Sequence, residues 1–237
     1  MTHRSVSVVG LDADDTLWHN ETLFRDTQER FHDLVVRYAD DDVDIDAQLL
    51  AVERRNLDLF GYGVKGFTLS LVETAIEVTR GRVPALEIEN ILAWGKDMLA
   101  HPVELLDGVA EIVHQLAERY RLMIITKGDL LHQETKVARS GLADIVEAVE
   151  IVSEKDEPTY GRLFEQHRVD PVTFVMVGNS VASDVLPVIA LGARAVHVPF
   201  HTTWALEAAD AHDSDVYPTL SSIRELPGTL RAFERRS

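Results

Sequence analysis

The stretch Ser5-Val-Ser-Val-Val-Gly-Leu-Asp-Ala-Asp-Asp-Thr-Leu17 decides the fold of this chain. Its first seven residues, from Ser5 to Leu11, are mostly apolar and include three β-branched valines, which predicts a buried parallel strand. Asp12 follows directly, and the carboxyl ends of strands are where doubly wound sheets bind ligands. Side chains two residues apart in an extended stretch point the same way, so Asp12 and Asp14 present two carboxylates to one side. Such a pair can hold a hard cation and share acid–base chemistry.

Further apolar segments follow along the chain and alternate with helical patterns. Strands are predicted at residues 121–126, 146–152, 173–178 and 195–199. Apolar residues at helical spacing predict helices at residues 109–117, 130–139, 159–167 and 183–190. In the last of these, Pro187 is expected to be tolerated in the first turn. Strands that alternate with helices predict an α/β fold with a doubly wound parallel sheet.

One long segment breaks this alternation, because residues 19–100 contain helical patterns and no strand pattern. The first predicted helix begins after Asn20, whose side chain is suited to cap a helix. Three more helices are predicted at residues 47–60, 67–79 and 85–99. We therefore predict two domains: an α/β core formed by residues 1–18 and 101–237, and a smaller all-helical domain formed by residues 19–100.

The composition of the chain limits its partners. It has no cysteine, which excludes disulfides, thiolate catalysis and cysteine-based zinc sites. Its 23 Lys and Arg residues against 40 Asp and Glu residues give a formal net charge of −17, and a field of that sign repels nucleic acids and anionic membranes. A site for a phosphorylated ligand must therefore supply its own positive charge. No apolar run is long enough for a membrane span or a signal peptide, so we expect a cytoplasmic protein.

Residues Leu11–Leu17 resemble the first motif of the haloacid dehalogenase superfamily of phosphohydrolases, in which an apolar strand is followed by Asp-x-Asp-x-Thr. The resemblance implies a Rossmann-like core in which Asp12 attacks phosphorus and forms an aspartyl-phosphate. It implies that Asp14 protonates the leaving oxygen and then activates water, while its backbone carbonyl ligates Mg²⁺. By the same resemblance Thr16 supports the loop, and the helical domain is similar to the family's cap domain inserted after the first motif.

The second and third motifs of the family are single residues near strand ends. Thr126 ends a predicted strand and fits the second motif, so its hydroxyl and the backbone N–H of Lys127 would bind a phosphoryl oxygen. Lys155 stands where the third motif is expected, and the resemblance implies that it pairs with Asp12 and the phosphoryl group. This lysine would supply the positive charge that an acidic chain needs at such a site.

The segment Gly178-Asn-Ser-Val-Ala-Ser-Asp184 resembles the fourth motif, whose common form is Gly-Asp-x-x-x-Asp. Asn179 replaces the first acid of that motif, which in the family usually touches the metal. An amide oxygen can ligate Mg²⁺ without adding charge, and Asp184 remains as a carboxylate that binds the metal directly or through another ligand. The resemblance therefore implies a metal site formed by Asp12, Asp14, Asn179 and Asp184.

Together these motifs predict a Mg²⁺-dependent hydrolase of small phosphomonoesters. A 2-haloacid dehalogenase is an alternative with the same fold, but those enzymes need no metal and lack an acid at the position of Asp14. A binding or regulatory module with little turnover is a second alternative, motivated by Asn179. Phosphotransfer to an acceptor other than water stays open. No motif identifies which small phosphorylated metabolite is the substrate, and none fixes the oligomeric state.

Overall fold

The computed structural model describes residues 6–200 and 216–236. The chain forms two compact units, one of Met1–Glu21 with Val103–Ser237 and the other of Thr22–Pro102. Within the described ranges, the first unit contains the β-sheet and the second consists of helices and their connections. No helix in these ranges is long and apolar enough to cross a membrane.

The described part of the first unit is built on parallel strands, which confirms the predicted fold class. The strands are β1 (Val8–Leu11), β2 (Arg121–Lys127), β3 (Ala148–Val152), β4 (Phe174–Gly178) and β5 (Arg194–His197). Their order across the sheet is β3-β2-β1-β4-β5. From the central β1, the chain first moves outwards through β2 and β3 and then fills the other side with β4 and β5. The carboxyl end of β1 is therefore the topological switch point of the sheet, where ligands bind. Ser5, the predicted start of β1, lies outside the described residues.

The helices follow most of the predicted patterns. In chain order they are α1 (Glu21–Val35), α2 (Ile45–Phe60), α3 (Val64–Val78), α4 (Ala85–Ala100), α5 (Val109–Ala117), α6 (Leu130–Ser140), α7 (Glu157–His167), α8 (Leu186–Ala190) and α9 (Leu226–Arg236). Asp129 and Asp156 cap α6 and α7, because their carboxylates accept the backbone N–H of His132 at 3.0 Å and of Thr159 at 2.8 Å. The last helix, α9, was not predicted from the sequence.

The segment predicted as a helix over residues 183–190 is helical, but it does not form one regular α-helix. A π-helical turn covers Val181–Val185, and α8 begins only after it. Pro187 lies in the first turn of α8, as predicted, and it has no N–H to donate to the carbonyl of Ser183. That carbonyl instead accepts a hydrogen bond from the hydroxyl of Tyr160 at 3.1 Å.

Alternate residues of the strands pack on opposite faces of the sheet. Val9 and Ile124 belong to a buried cluster on one face, together with residues of α5 and α9. Val8 and Met123 belong to a cluster on the other face, together with residues of α7 and α8. Because both faces are covered, the central strands β1 and β4 are buried throughout and β2 is buried except at its two ends.

The helical unit has a core of its own. Each of its helices contributes to that core, and the buried side chains include Phe31, Leu49, Leu71 and Ile91. The helices α3 and α4 approach closely at Gly95, where an added Cβ would lie 2.2 Å from Thr68 Oγ1. Gly95 is therefore required by packing within this unit.

Candidate active site

Asp12 lies at the carboxyl end of β1, and its side chain is buried. Its backbone N–H donates to the carbonyl of Val177 at 2.8 Å, which extends the pairing of β1 with β4 by one residue. Of its two carboxylate oxygens, Oδ2 accepts a hydrogen bond from Thr16 Oγ1 at 2.9 Å and Oδ1 lies 2.5 Å from Lys155 Nζ. Neighbouring side chains therefore orient both oxygens of the predicted nucleophile.

Lys155 joins two carboxylates that come from different strand ends. Its Nζ lies 2.5 Å from Asp12 Oδ1 and 2.7 Å from Asp184 Oδ1, and all three side chains are buried. Burial lowers the pKa of Lys155, but the two carboxylates outweigh burial and hold its pKa well above the usual value. Burial also raises the pKa of Asp184 above its usual value. The structure thus brings three of the predicted site residues into one charged cluster.

Asp14 is held by three donors of the first unit. Its Oδ1 accepts hydrogen bonds from Trp18 Nε1 at 2.6 Å and from Lys136 Nζ at 2.5 Å. Its Oδ2 accepts a hydrogen bond from Gln133 Nε2 at 2.8 Å. Burial alone raises the pKa of Asp14, but the Lys136 ammonium and the hydrogen bonds outweigh burial and lower this pKa below the usual value. The carboxylate is therefore ionised at neutral pH in this arrangement.

Asp15, the third acid of the first motif, has a structural role that was not predicted. Its φ of 62° lies in the left-handed region, and its carboxylate accepts the backbone N–H groups of Asn20 and Glu21, each at 2.9 Å. Burial is the main cause that raises the pKa of Asp15 to about 7. Asp15 thus satisfies N–H groups at the start of α1, the role predicted for the side chain of Asn20. The Asn20 oxygen Oδ1 accepts a hydrogen bond from Lys136 Nζ at 3.2 Å instead.

Thr126 and Lys127, the predicted phosphoryl-binding residues, end β2 at the same edge of the sheet as Asp12. Thr126 Oγ1 accepts a hydrogen bond from Gln133 Nε2 at 3.1 Å, and both side chains are buried. Lys127 Nζ donates to Ser183 Oγ at 3.1 Å and lies 3.6 Å from a carboxylate oxygen of Glu154. The side chain of Lys127 therefore reaches the segment after β4, whereas the sequence had suggested a role only for its backbone N–H.

Asn179 and Asp184, both predicted to bind metal, follow β4. Asp184 Oδ2 accepts the backbone N–H of Ser180 at 3.1 Å. The backbone carbonyl of Asn179 lies 3.1 Å from His197 Nε2, and since a carbonyl can only accept, Nε2 carries the proton. Gly178 leaves the space that Asp184 fills, because an added Cβ would lie 2.2 Å from Asp184 Oδ2.

The oxygen donors near Asp12 fit a Mg²⁺ ion by their chemistry. Within residues 6–200 and 216–236, no three side chains of His, Cys, Asp or Glu are grouped as metal ligands. Mg²⁺ does not require such a cage, because proteins usually bind it through one or two carboxylates while it keeps several waters. Asp12 and Asp184 supply two carboxylates that already converge on one cation, the ammonium of Lys155. These two carboxylates are therefore suited to a hard divalent cation.

Two residues of the site, Gln133 and Lys136, were not predicted from the sequence. They lie at positions i and i+3 of α6 and therefore share one face of that helix. Both are buried although both are polar, and a polar pair on the buried face of an amphipathic helix is the signal that could have revealed them.

The comparison with protein families agrees with this geometry. Residues 6–192 match the family model described as haloacid dehalogenase-like hydrolase, and this chain belongs to that family. A curated relative, the N-acylneuraminate-9-phosphatase of Mus musculus, is 26% identical over 172 residues. That match covers 68% of this chain and 66% of the relative, slightly less than two thirds of the relative's length.

Solved structures show the same architecture. A haloacid dehalogenase-like family hydrolase from Xanthomonas campestris is 39% identical, with a TM-score of 0.88 over 100% of this chain and 95% of that chain. A family hydrolase from Bacillus subtilis bound to magnesium is 14% identical, with a TM-score of 0.63 over 96% of this chain and 99% of that chain. A 2-haloacid dehalogenase from Pseudomonas syringae is 20% identical, with a TM-score of 0.62 over 96% of this chain and 99% of that chain. The last two likenesses show the fold alone.

Proposed function

We propose that the chain is a Mg²⁺-dependent phosphatase that hydrolyses a small phosphomonoester through an aspartyl-phosphate at Asp12. The observation that carries this proposal is the buried cluster of Asp12, Lys155 and Asp184, in which a charged ammonium lies 2.5 Å from the nucleophile. The cluster places positive charge beside the nucleophile in a chain whose net charge is −17. Membership of the hydrolase family and the phosphatase named among its relatives support the same reaction class.

In the first step, a carboxylate oxygen of Asp12 attacks the phosphorus atom of the ester. The bond between phosphorus and the ester oxygen breaks, and that oxygen takes a proton from Asp14 and leaves as an alcohol. The negative charge of a bound phosphate group would oppose ionisation of Asp14 and so favour the protonated form that this step needs. The ammonium of Lys155, the hydroxyl of Thr126 and the backbone N–H of Lys127 stabilise the phosphoryl oxygens.

In the second step, a water molecule attacks the phosphorus atom of the aspartyl-phosphate. Asp14, which lost its proton in the first step, takes a proton from this water and so acts as the general base. The bond between phosphorus and the Asp12 oxygen breaks, inorganic phosphate leaves, and the Asp12 carboxylate is regenerated. Each group thus returns to its starting state, and the proton given to the alcohol is replaced by one from water.

Four groups would hold the metal: the carboxylates of Asp12 and Asp184, the backbone carbonyl of Asp14 and the amide oxygen of Asn179. Waters and oxygens of the substrate would complete the coordination. When bound, Mg²⁺ neutralises negative charge on the phosphoryl oxygens and on the attacking carboxylate.

The position of Asp14 favours an ester substrate over a haloacid. An alkoxide leaving group needs a proton, whereas a halide does not. Three donors, on Trp18, Gln133 and Lys136, hold the Asp14 carboxylate, and displacement of a halide gives that arrangement no role. The likeness to dehalogenase structures is a likeness of fold and does not weigh against this argument.

We further propose that the helical unit Thr22–Pro102 is the cap of the family and selects the substrate. Caps of this class exclude water during the reaction and confer specificity through their own side chains. The acidic composition favours a small phosphorylated metabolite over a nucleic acid or an anionic membrane surface, because a net charge of −17 repels both polyanions.

The test is release of phosphate from p-nitrophenyl phosphate by the purified chain with Mg²⁺ and with excess chelator. We expect hydrolysis that depends on Mg²⁺ and is abolished in Asp12→Asn, and no chloride release from 2-chloropropionate. Equal rates for the wild type and Asp12→Asn would contradict the proposal. Metal-independent chloride release that needs Asp12 would replace it with the dehalogenase alternative.

A further inference from the structure

Gln133 and Lys136 form a pair on α6 that contacts Asp14 from one side. Gln133 Nε2 lies 2.8 Å from Asp14 Oδ2, and Lys136 Nζ lies 2.5 Å from Asp14 Oδ1, so each oxygen of the carboxylate has its own donor. Both side chains are largely buried, with exposed fractions of 3% and 9%. The helix that carries them is fixed at its start by the cap of Asp129. Two donors on one rigid helix can hold a carboxylate in one orientation.

The hydrogen bonds of Gln133 are directed to groups of the site. Besides Asp14, its Nε2 contacts the carbonyl of Lys127 at 2.8 Å and Thr126 Oγ1 at 3.1 Å. Its own oxygen, Oε1, is buried and has no hydrogen-bond partner in the described part of the chain. Leaving a buried acceptor unsatisfied costs stability, and a glutamine that served the core alone would pair both ends of its amide. The geometry thus points to a role for its nitrogen at the site.

Lys136 places a second buried ammonium in the same unit as Lys155. Its Nζ contacts Asp14 Oδ1 and, at 3.2 Å, Asn20 Oδ1. The two lysines have different partners: Lys155 contacts Asp12 and Asp184, and Lys136 contacts Asp14. Lys155 therefore contacts the predicted nucleophile, Asp12, and Lys136 contacts the predicted proton donor, Asp14.

We propose that Gln133 and Lys136 are positioning residues that hold the Asp14 carboxylate where it exchanges a proton with the leaving oxygen. Gln133 also ties Asp14 to Thr126, so the proton donor and a phosphoryl-binding hydroxyl keep a fixed spacing. This inference rests on the proposed phosphatase function. Its test must therefore report on the proton transfer itself and also on the position of Asp14 without any turnover.

The kinetic test compares two esters of similar shape, phenyl phosphate and 2,4-dinitrophenyl phosphate. Of the two, phenyl phosphate alone has a leaving group that needs a proton. The ratio kcat/KM reports the steps up to and including the loss of the leaving group. In Gln133→Ala and Lys136→Met, we expect kcat/KM for phenyl phosphate to fall at least about 10-fold, part of the 10²–10⁴-fold that a positioned general acid contributes. For 2,4-dinitrophenyl phosphate we expect a fall below about threefold, because that leaving group departs without a proton. Asp14→Asn should show the same selectivity in stronger form.

Matched controls separate positioning from general damage to the fold. Glu134→Ala changes an exposed residue between the two positions on α6, and Arg139→Met removes an exposed cation of the same helix. Both variants should keep the wild-type ratio of the two kcat/KM values. Lys136→Arg keeps a charged donor and should recover most of the ratio that Lys136→Met loses. Equal losses on both esters, or an unchanged ratio in Gln133→Ala and Lys136→Met, would overturn the proposal.

A second readout needs no substrate. The indole N–H of Trp18 donates to Asp14 Oδ1, so its NMR resonance, assigned with Trp18→Phe, reports the position of that carboxylate. We expect the resonance to move in Gln133→Ala and in Lys136→Met and to stay in place in Glu134→Ala. An unmoved resonance in both α6 variants would refute the inference. If the wild type hydrolyses neither ester, the phosphatase proposal fails, and the indole resonance still decides whether α6 positions Asp14.

Discussion

The ammonium nitrogen of Lys155 lies 2.7 Å from Asp184 Oδ1, and both side chains are buried at the carboxyl edge of the sheet. Asp184 comes from the turn after β4, and Lys155 from the segment after β3. Asp12, after β1, binds the same ammonium. Three loops are thus joined by one cation. This arrangement orients the carboxylate of the proposed nucleophile, and we expect the folded state to depend on the lysine.

Lys155→Met should destabilise the fold strongly. Removing one partner of a buried ion cluster leaves uncompensated charge, here on two carboxylates, and such a loss costs about 3–5 kcal/mol. Urea unfolding of the wild type and the variant measures this free energy.

The double variant Lys155→Met with Asp184→Asn is the matched control. This double variant removes one of the two uncompensated carboxylates, so its free energy of unfolding should be higher than that of Lys155→Met alone. A loss below about 1 kcal/mol in Lys155→Met, within the range of surface pairs, would show that the cluster is not as buried as described.

Gly178→Ala should displace Asp184 from its position. An added Cβ would lie 2.2 Å from Asp184 Oδ2, and overpacking of this kind costs about 1–3 kcal/mol. We expect the variant to lose phosphatase activity even where it remains fully folded, because the displaced carboxylate is part of the proposed metal site.

The matched control for Gly178→Ala is Gly161→Ala on α7. An added Cβ at Gly161 meets nothing within 4 Å, and alanine in a helix is about 0.5–1 kcal/mol more favourable than glycine. Gly161→Ala should therefore keep its activity and gain stability. Wild-type activity in Gly178→Ala would mean that the position of Asp184 does not matter for the reaction.

Asn179→Asp should tighten Mg²⁺ binding. The amide at this position can supply an oxygen but no charge, and a carboxylate supplies both. Isothermal titration of the metal-free protein with Mg²⁺ measures the change, and Asp184→Asn should show the opposite effect. Unchanged or weaker binding in Asn179→Asp would remove Asn179 from the ligand set.

His197 should make stability fall at acidic pH. Burial lowers the pKa of His197 below its usual value of about 6.5 and outweighs the hydrogen bond to the carbonyl of Asn179, which raises this pKa. Below about pH 6.5 the unfolded chain therefore binds a proton that the folded chain takes up less readily, so the free energy of unfolding drops as pH decreases. His197→Gln should reduce this drop in urea unfolding measured between pH 5 and 7. An equal drop in both proteins would assign it to other groups.

Much of the fold was predictable because it depends on local patterns. The buried strands were recognisable as apolar runs, and Asp12 at the end of the first one indicated the edge of the sheet at which we propose the site. The π-helical turn after β4 was not predicted, although Pro187 was noted in the sequence. The hydroxyl that binds the carbonyl left free by Pro187 belongs to Tyr160, which comes from another helix. Periodicity along one segment carries no information about such a partner.

The predicted site residues belong to short motifs, whereas the residues that were missed act across long sequence distances. Gln133 and Lys136 contact Asp14 from positions 119 and 122 residues away, and no spacing rule links them. Asp15 was missed for a different reason, since its role depends on a backbone in the left-handed region that an Asp adopts only in a specific turn. Short motifs were therefore easier to recognise in the sequence than the side chains that contact them in the fold.

The central claim, that Asp12 forms a covalent bond to phosphorus, can be tested by trapping the intermediate. The Asp14→Asn variant should still accept the phosphoryl group of 2,4-dinitrophenyl phosphate, because the leaving group of this ester needs no proton. Hydrolysis of the aspartyl-phosphate should be slow in this variant, because the general base is missing. Acid quenching followed by peptide mass spectrometry should then show one phosphoryl group on Asp12. Release of 2,4-dinitrophenol with no phosphoryl group on the protein, or with the group on another residue, would contradict the mechanism.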